Sequence, residues 1–189
     1  MANPAPLSPD KALQGVLKIS RLNGWSVAVF AGLGWLVALA MGDLVGVLVG
    51  ALAIASGGME IHGHRRLRRR DADGMKWLVR AQLLLLGVIL AYAASRLVSF
   101  DRELALQNLT PDMRDALRQL DLRVEDLMPL VQKTVWVFYG TVMLTTCIYQ
   151  GGLALYYRRR APLVAQALAA PPPVPPPPPK LAPPPEYSI

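Results

Sequence analysis

Four long apolar stretches, at residues 24–41, 44–61, 77–98 and 135–157, constrain this chain more than any other feature. A helix rises about 1.5 Å per residue, so roughly 18 or more mostly apolar residues reach across a hydrocarbon core about 30 Å thick. Coiling also pairs each backbone amide within its own segment, which lipid requires. The expected fold class is therefore an all-α integral membrane protein, a bundle of four transmembrane helices.

Little chain is left over for anything else. Of 189 residues, segment 1–23 precedes the first run, 24–160 holds the spans, and 161–189 follows. The longest stretch between spans, 99–134, is too short for an independent globular core. A net charge of +7 brings nucleic acid to mind. However, the basic residues cluster beside the spans, which suits anionic lipid headgroups and argues against a nucleic-acid partner. The single cysteine, Cys147, lies inside the last apolar run, so neither an intramolecular disulfide nor a cysteine-based zinc site is available. Within that run it is expected to be buried and unreactive.

Ala38-Leu39-Ala40 resembles a signal-peptidase site, and Lys11, Lys18 and Arg21 form a basic leader. The leader is long and the next apolar run starts almost at once, so the first span is expected to stay as an anchor. Basic residues then set orientation. Lys11, Lys18 and Arg21 share a side with Arg65, Arg66, Arg68, Arg69, Arg70 and Lys76 of the second connection and with Arg158, Arg159 and Arg160. Both termini are thus expected in the cytoplasm of a plasma or inner membrane. Trp25, Trp77, Tyr156 and Tyr157 fall at the cytoplasmic rim and Trp136 near the opposite rim, where amphipathic rings belong.

The segments outside the spans divide by pattern. Residues 1–10 are rich in proline and expected to be disordered. From Lys11 to Leu22, Leu13, Val16, Leu17 and Ile19 alternate with basic residues, which suits an amphipathic helix on the cytoplasmic leaflet or an extension of the first span. In loop 99–134, Thr110-Pro111-Asp112 is a helix-start signal, and a second short helix is expected from about Val124 into the fourth span, with Pro129 near its beginning. These short extracytoplasmic amphipathic helices would cap the bundle. The tail 161–189 is Pro-rich, with PPPVPPPPP at 171–179, and is expected to be a disordered, extended polyproline segment, either a spacer or a ligand for a cytoplasmic partner.

In lipid, helices associate through close backbone approach, which small residues allow. Gly42, Gly46 and Gly50 form overlapping GxxxG units, and Gly87, Ala91 and Ser95 form a second stripe; both are candidate packing faces, within the chain or toward a second copy. Gln82 lies deep in its span and needs an interior partner. The run Arg65, Arg66, Arg68, Arg69 and Arg70 is a candidate patch for lipid headgroups.

Chemistry has one candidate place. Glu60, His62 and His64 stand together at the end of the second run, and Glu60 and His64, four apart, share a helix face if the helix passes Gly63. These are metal-ligand types, but no second cluster completes a set and Arg65 and Arg66 would repel a cation. Pairing of Glu60 with a rim arginine accounts for the acid equally well. No cofactor is expected. The plan of four spans, a tiny first outer loop and a larger second one is similar to the tetraspan layout in topology only, because the cysteine motif of tetraspanins is missing. The expected function is that of a non-enzymatic membrane scaffold or accessory subunit. It would form a homo-oligomer or bind a membrane-protein partner, with the tail as its cytoplasmic attachment. The alternatives are a small channel or transporter subunit and a metal-dependent membrane enzyme.

Overall fold

The computed structural model describes residues 8–99 and 124–171. They form four helices: α1 (Pro9–Ala40), α2 (Leu44–Arg68), α3 (Gly74–Val98) and α4 (Val124–Ala169). The described residues are thus all-helical, and because all four helices are long and apolar enough to cross a membrane, they fit a multi-pass membrane protein. The helix expected from Thr110 and the proline-rich residues 172–189 lie outside the described residues.

The helices pack as a ring, α1 on α2, α2 on α3, α3 on α4 and, least extensively, α4 on α1. Antiparallel neighbours follow from the connections. α1 ends with Gly42 in the left-handed region, φ 69°, where the Gly42 amide donates to Leu39 and the Asp43 amide to Ala38. That pair of bonds stops a helix and turns the chain within a few residues, and glycine takes the left-handed conformation without steric cost. α2 stops in the same way, with the Arg70 amide donating to Leu67 and the Asp71 amide to Arg66. Here the left-handed residue is Arg70, φ 61°.

Of the two readings of residues 11–22, the structure has the extension of the first span and not a separate helix: Ser8 caps and Pro9 opens a single helix that continues to Ala40. Its apolar positions Leu13, Val16, Leu17 and Ile19 pack on the chain itself, which is why the segment joins the bundle. Likewise 161–169 does not belong to an irregular tail. α4 passes through Pro162 to Ala169 because Val164 and Ala167 have a core to bury into.

Burial runs along seams of alternating three and four residues, the spacing that keeps one face of a helix against its neighbours. On α2 the seam is Ser56, Gly57, Glu60, Gly63 and Leu67; on α3 it is Met75, Leu78, Ala81, Gln82, Leu85 and Val88. The apolar core is Val16, Leu67, Met75, Leu78, Tyr157 and Val164. All of it lies at the end that holds the α2–α3 connection, termed here the basic end. Burying each such side chain contributes about 1.5–3 kcal/mol where water is the alternative. At the other end, Phe30, Leu33, Leu36, Trp136, Val137, Phe138 and Leu144 are exposed, and an Arg96–Asp43 pair at 3.4 Å ties α3 to the α1–α2 turn.

Candidate functional site

The seam of α2 places Glu60 between α1, α3 and α4, where it is 1% exposed. Small residues make this possible: a Cβ on Gly24 would stand 3.3 Å from the Cβ of Glu60, and one on Gly57 would stand 2.9 Å from the Ala28 amide nitrogen. With α1 and α2 so close, Asn23 reaches the carboxylate from the side. Its amide Nδ2 donates to Glu60 Oε2 at 2.6 Å, and the Tyr157 hydroxyl donates to Oε1 at 2.8 Å from the diagonally opposed α4. The Tyr149 hydroxyl in turn donates to Asn23 Oδ1 at 3.1 Å. Gln82 of α3, 1% exposed, completes the surroundings of the carboxylate. Its Oε1 finds no hydrogen-bond partner among the described residues, and neither does Oε1 of Gln150.

The carboxyl group is thus enclosed by neutral partners drawn from three other helices. The expected rim arginine is not its partner: the ion pairs among the described residues join Arg66 to Asp71, Lys76 to Asp73 and Arg96 to Asp43. Uncharged donors reach the buried position because α1 and α4 supply them on their inner faces, whereas the arginines stand a turn or more further along α2. A buried acid held this way is costly to leave unpaired, so each donor matters to the fold.

The other expected members of the site diverge. α2 does continue past Gly63, but His62 turns out to stack edge-on against Trp77, ring centroids 4.9 Å apart. His64 faces α1, its Nδ1 3.1 Å from Ser20 Oγ. Glu60, His62 and His64 therefore do not converge, and among the described residues no group of three His, Cys, Asp or Glu side chains could hold a metal ion.

The arginine run also divides. Arg66 pairs with Asp71 at 2.6 Å, and the Arg70 guanidinium donates to the last carbonyls of α4, Leu168 at 3.0 Å and Ala167 at 3.4 Å, with Ala170 beside them. Arg69 is exposed, while Arg65 and Arg68 line a recess with Arg21 and His64.

The glycine stripes have different surroundings. A Cβ on Gly46 would meet Ala38 at 3.0 Å and one on Gly50 would meet Trp35 at 2.9 Å, so these two lie against α1, while Gly42 forms the turn. Gly87, Ala91 and Ser95 face outward, with nothing within 4 Å of a Cβ on Gly87. Cys147 is exposed, contrary to the expectation of burial, because this part of α4 leans on the bundle along one narrow stripe.

Sequence reasoning named Glu60 and Gln82 but missed Asn23 and Tyr149 and took Tyr157 for an interfacial anchor. The available signal was spacing: Val16, Ser20, Asn23 and Gly24 continue one seam, and a polar residue on a buried seam must have a partner. No protein-family profile, curated protein or solved structure matches this chain.

Proposed function

We propose that this chain is a non-enzymatic integral membrane protein, both termini cytoplasmic, that works by assembling with a second copy of itself. The observation that carries this reading is the outward stripe Gly87, Ala91 and Ser95. It borders a shallow apolar groove of about 460 Å³ shared with Val45, Leu48 and Leu52 of α2. Lipid tails cover apolar side chains as well as a protein does, but a small-residue stripe beside a groove favours a helix that can come close. The GxxxG units of α2 are engaged with α1, which leaves this stripe as the face for a partner. The proline-rich tail would serve attachment in the cytoplasm. Native mass spectrometry in mild detergent tests the reading: a dimer that becomes monomeric in Gly87→Leu/Ala91→Leu supports it, and a wild-type protein that is monomeric throughout refutes it.

A second reading, a proton or ion pathway, is favoured by the Glu60 network. Intramembrane acids mark such pathways, and the unpartnered Gln82 Oε1 beside Glu60 is a place where a proton carried by the acid would be received. Proton flux into proteoliposomes that Glu60→Gln abolishes would establish it. Equal flux in wild type, variant and empty vesicles would remove it.

A further inference from the structure

We propose that the cleft between α1 and α2 at the basic end binds the phosphate of an anionic phospholipid headgroup. This site takes Arg65 and Arg68 from the arginine run read in the sequence and joins them to Lys18 and Arg21 of α1, leaving out Arg66, Arg69 and Arg70, and it stands independently of self-assembly. α1 contributes Lys18, Arg21, Leu22 and Trp25, whose spacing of three, four and seven puts them on one face. α2 faces them with His64 and Arg68, and the cleft they enclose is open and about 830 Å³. Next to it lies a smaller recess of about 210 Å³, bounded by Arg21, Ile61, His64, Arg65 and Arg68.

Charge distinguishes this cleft from the rest of the basic end. Arg66 and Arg70 are occupied by Asp71 and by the α4 carbonyls. Among the described residues, Lys18, Arg21, Arg65 and Arg68 enter none of the ion pairs and no acid lines either cavity. Like charges gathered on two adjoining helices repel one another, and an anion seated between them removes that repulsion. Guanidinium groups offer paired N–H donors matched to phosphate oxygens, which makes arginine better suited to this than a diffuse patch of lysines. Ser20 holds the His64 ring in the wall by its contact at Nδ1.

Position argues for a lipid rather than a free phosphate. The cations stand just outside the apolar runs, on α1 before residue 24 and on α2 after residue 61, at the height of headgroups. On the membrane side the cleft continues into Leu22, Trp25 and Ile61, an apolar and aromatic wall suited to the glycerol and upper acyl carbons of a lipid.

The test uses the full chain in mild detergent, with bound lipid counted by native mass spectrometry. Phosphatidic acid and phosphatidylglycerol are compared with phosphatidylcholine of the same acyl chains. The expected result is anionic lipid bound at least about tenfold more tightly than phosphatidylcholine, with most of that preference lost in Arg21→Gln/Arg68→Gln. It should be lost only in part in Arg21→Lys/Arg68→Lys, which keeps the charge but not the paired donors, and kept in Arg158→Gln/Arg159→Gln, a pair outside the cleft. Competition by inorganic phosphate supports the phosphate as the recognised group. Binding of inorganic phosphate without discrimination among lipids overturns the lipid assignment. So does an equal loss in the Arg158/Arg159 pair. Should the glutamine pair not fold, quenching of wild-type fluorescence by lipids brominated near the glycerol decides. Trp35, Trp77 and Trp136 supply a background of quenching. An excess of quenching by the anionic lipid over phosphatidylcholine that disappears in Trp25→Phe supports the site; equal quenching by both headgroups in the wild type overturns it.

Discussion

The two ends of the bundle are built from similar helices yet hold together by different means. At the basic end, Ala12, Val16, Ser20, Asn23 and Gly24 of α1 are buried, and Tyr157, Val164 and Ala167 of α4 close over Leu67 and Leu78. At the far end, Ala38 is the one further buried residue of α1, and α4 keeps Trp136, Val137, Phe138, Leu144 and Ile148 exposed. Water, the proposed solvent of the basic end, would account for the first arrangement, since burial of apolar surface from water stabilises by about 25 cal/mol per Å². Lipid, the proposed solvent of the far end, supplies no such force, so contact survives only where backbones can approach. On that proposal the same sequence folds under two driving forces, and the change falls where the apolar runs begin.

The largest expected effects test that division directly. Leu67→Ala removes a side chain that is 1% exposed and should cost about 2–5 kcal/mol, as for other fully buried leucines. Phe138→Ala removes a larger side chain that is 60% exposed and should cost under about 0.5 kcal/mol in detergent. Reversible unfolding in mixed detergent micelles measures both. Equal losses would mean that the far end has a core of its own, and the comparison would fail.

Glycines give the next largest contrast. A Cβ at Gly74 would stand 2.6 Å from the Gly63 carbonyl oxygen and 2.7 Å from Leu67, so α2 or α3 must shift to admit it. Gly74→Ala is expected to destabilise by about 1–3 kcal/mol, in the range of overpacked interiors. Gly87→Ala meets open space and should leave the monomer unchanged or slightly more stable, because alanine is the better helix former. The same unfolding assay reads both, and a costly Gly87→Ala in a protein kept monomeric would show that the outward stripe packs within the chain.

How much of this could be read beforehand follows from the same physics. The long apolar runs announced the helices, because length and hydropathy suffice to recognise a crossing segment. The Gly42 turn was legible too, as a short polar break between two runs. Helix ends at the basic end were not. Lys18 and Arg21 left the segment before Gly24 open between a surface helix and an extension of the first span, although Leu13, Val16 and Leu17 were already placed to bury. The site was half legible. Glu60 and Gln82 stood out as polar residues in apolar runs, whereas their partners came from far along the chain, and Tyr157 lies 97 residues from Glu60. No local pattern encodes which helices stand diagonal in a ring, so the pairing of α2 with α4 could not be foreseen. Arg70 was hidden for a related reason, since nothing in an arginine run marks the member that reaches across to another helix.

Arg70 supplies a smaller test of how the basic end is closed. Its left-handed φ of 61° would suit glycine, yet its side chain donates to the α4 carbonyls. Backbone strain and the favourable contact of a cation with a helix C-terminus therefore oppose one another, the first at about 1–2 kcal/mol and the second at about 0.3–1 kcal/mol. Arg70→Gly loses the contact but relieves the strain and should unfold close to wild type. Arg70→Ala loses the contact and keeps the strain, so it should be the less stable of the pair by about 1 kcal/mol. Identical stability of the two would show that the turn relaxes without Arg70.

The smallest effect asks whether the α2–α3 connection lies in water, as the contrast between the ends requires. Asp73 pairs with Lys76 at 2.7 Å, and this hydrogen bond, with the lysine charge, holds the Asp73 carboxyl below its ordinary value of 3.8. A depressed carboxyl stabilises the folded state above the unfolded value and loses that contribution as pH falls through the folded one. The loss is therefore confined to pH below about 4, where Asp73 becomes protonated. Because both groups are exposed, the stability change should be slight, and the better readout is the titration of Asp73 itself by carbon-detected NMR in micelles. Lys76→Gln should move that titration upward toward 3.8, and about 1 M salt should move the wild-type value the same way by screening the pair. A wild-type titration indifferent to salt but sensitive to Lys76→Gln would place the pair away from bulk water. The basic end would then lie deeper in the membrane than its packed core allows.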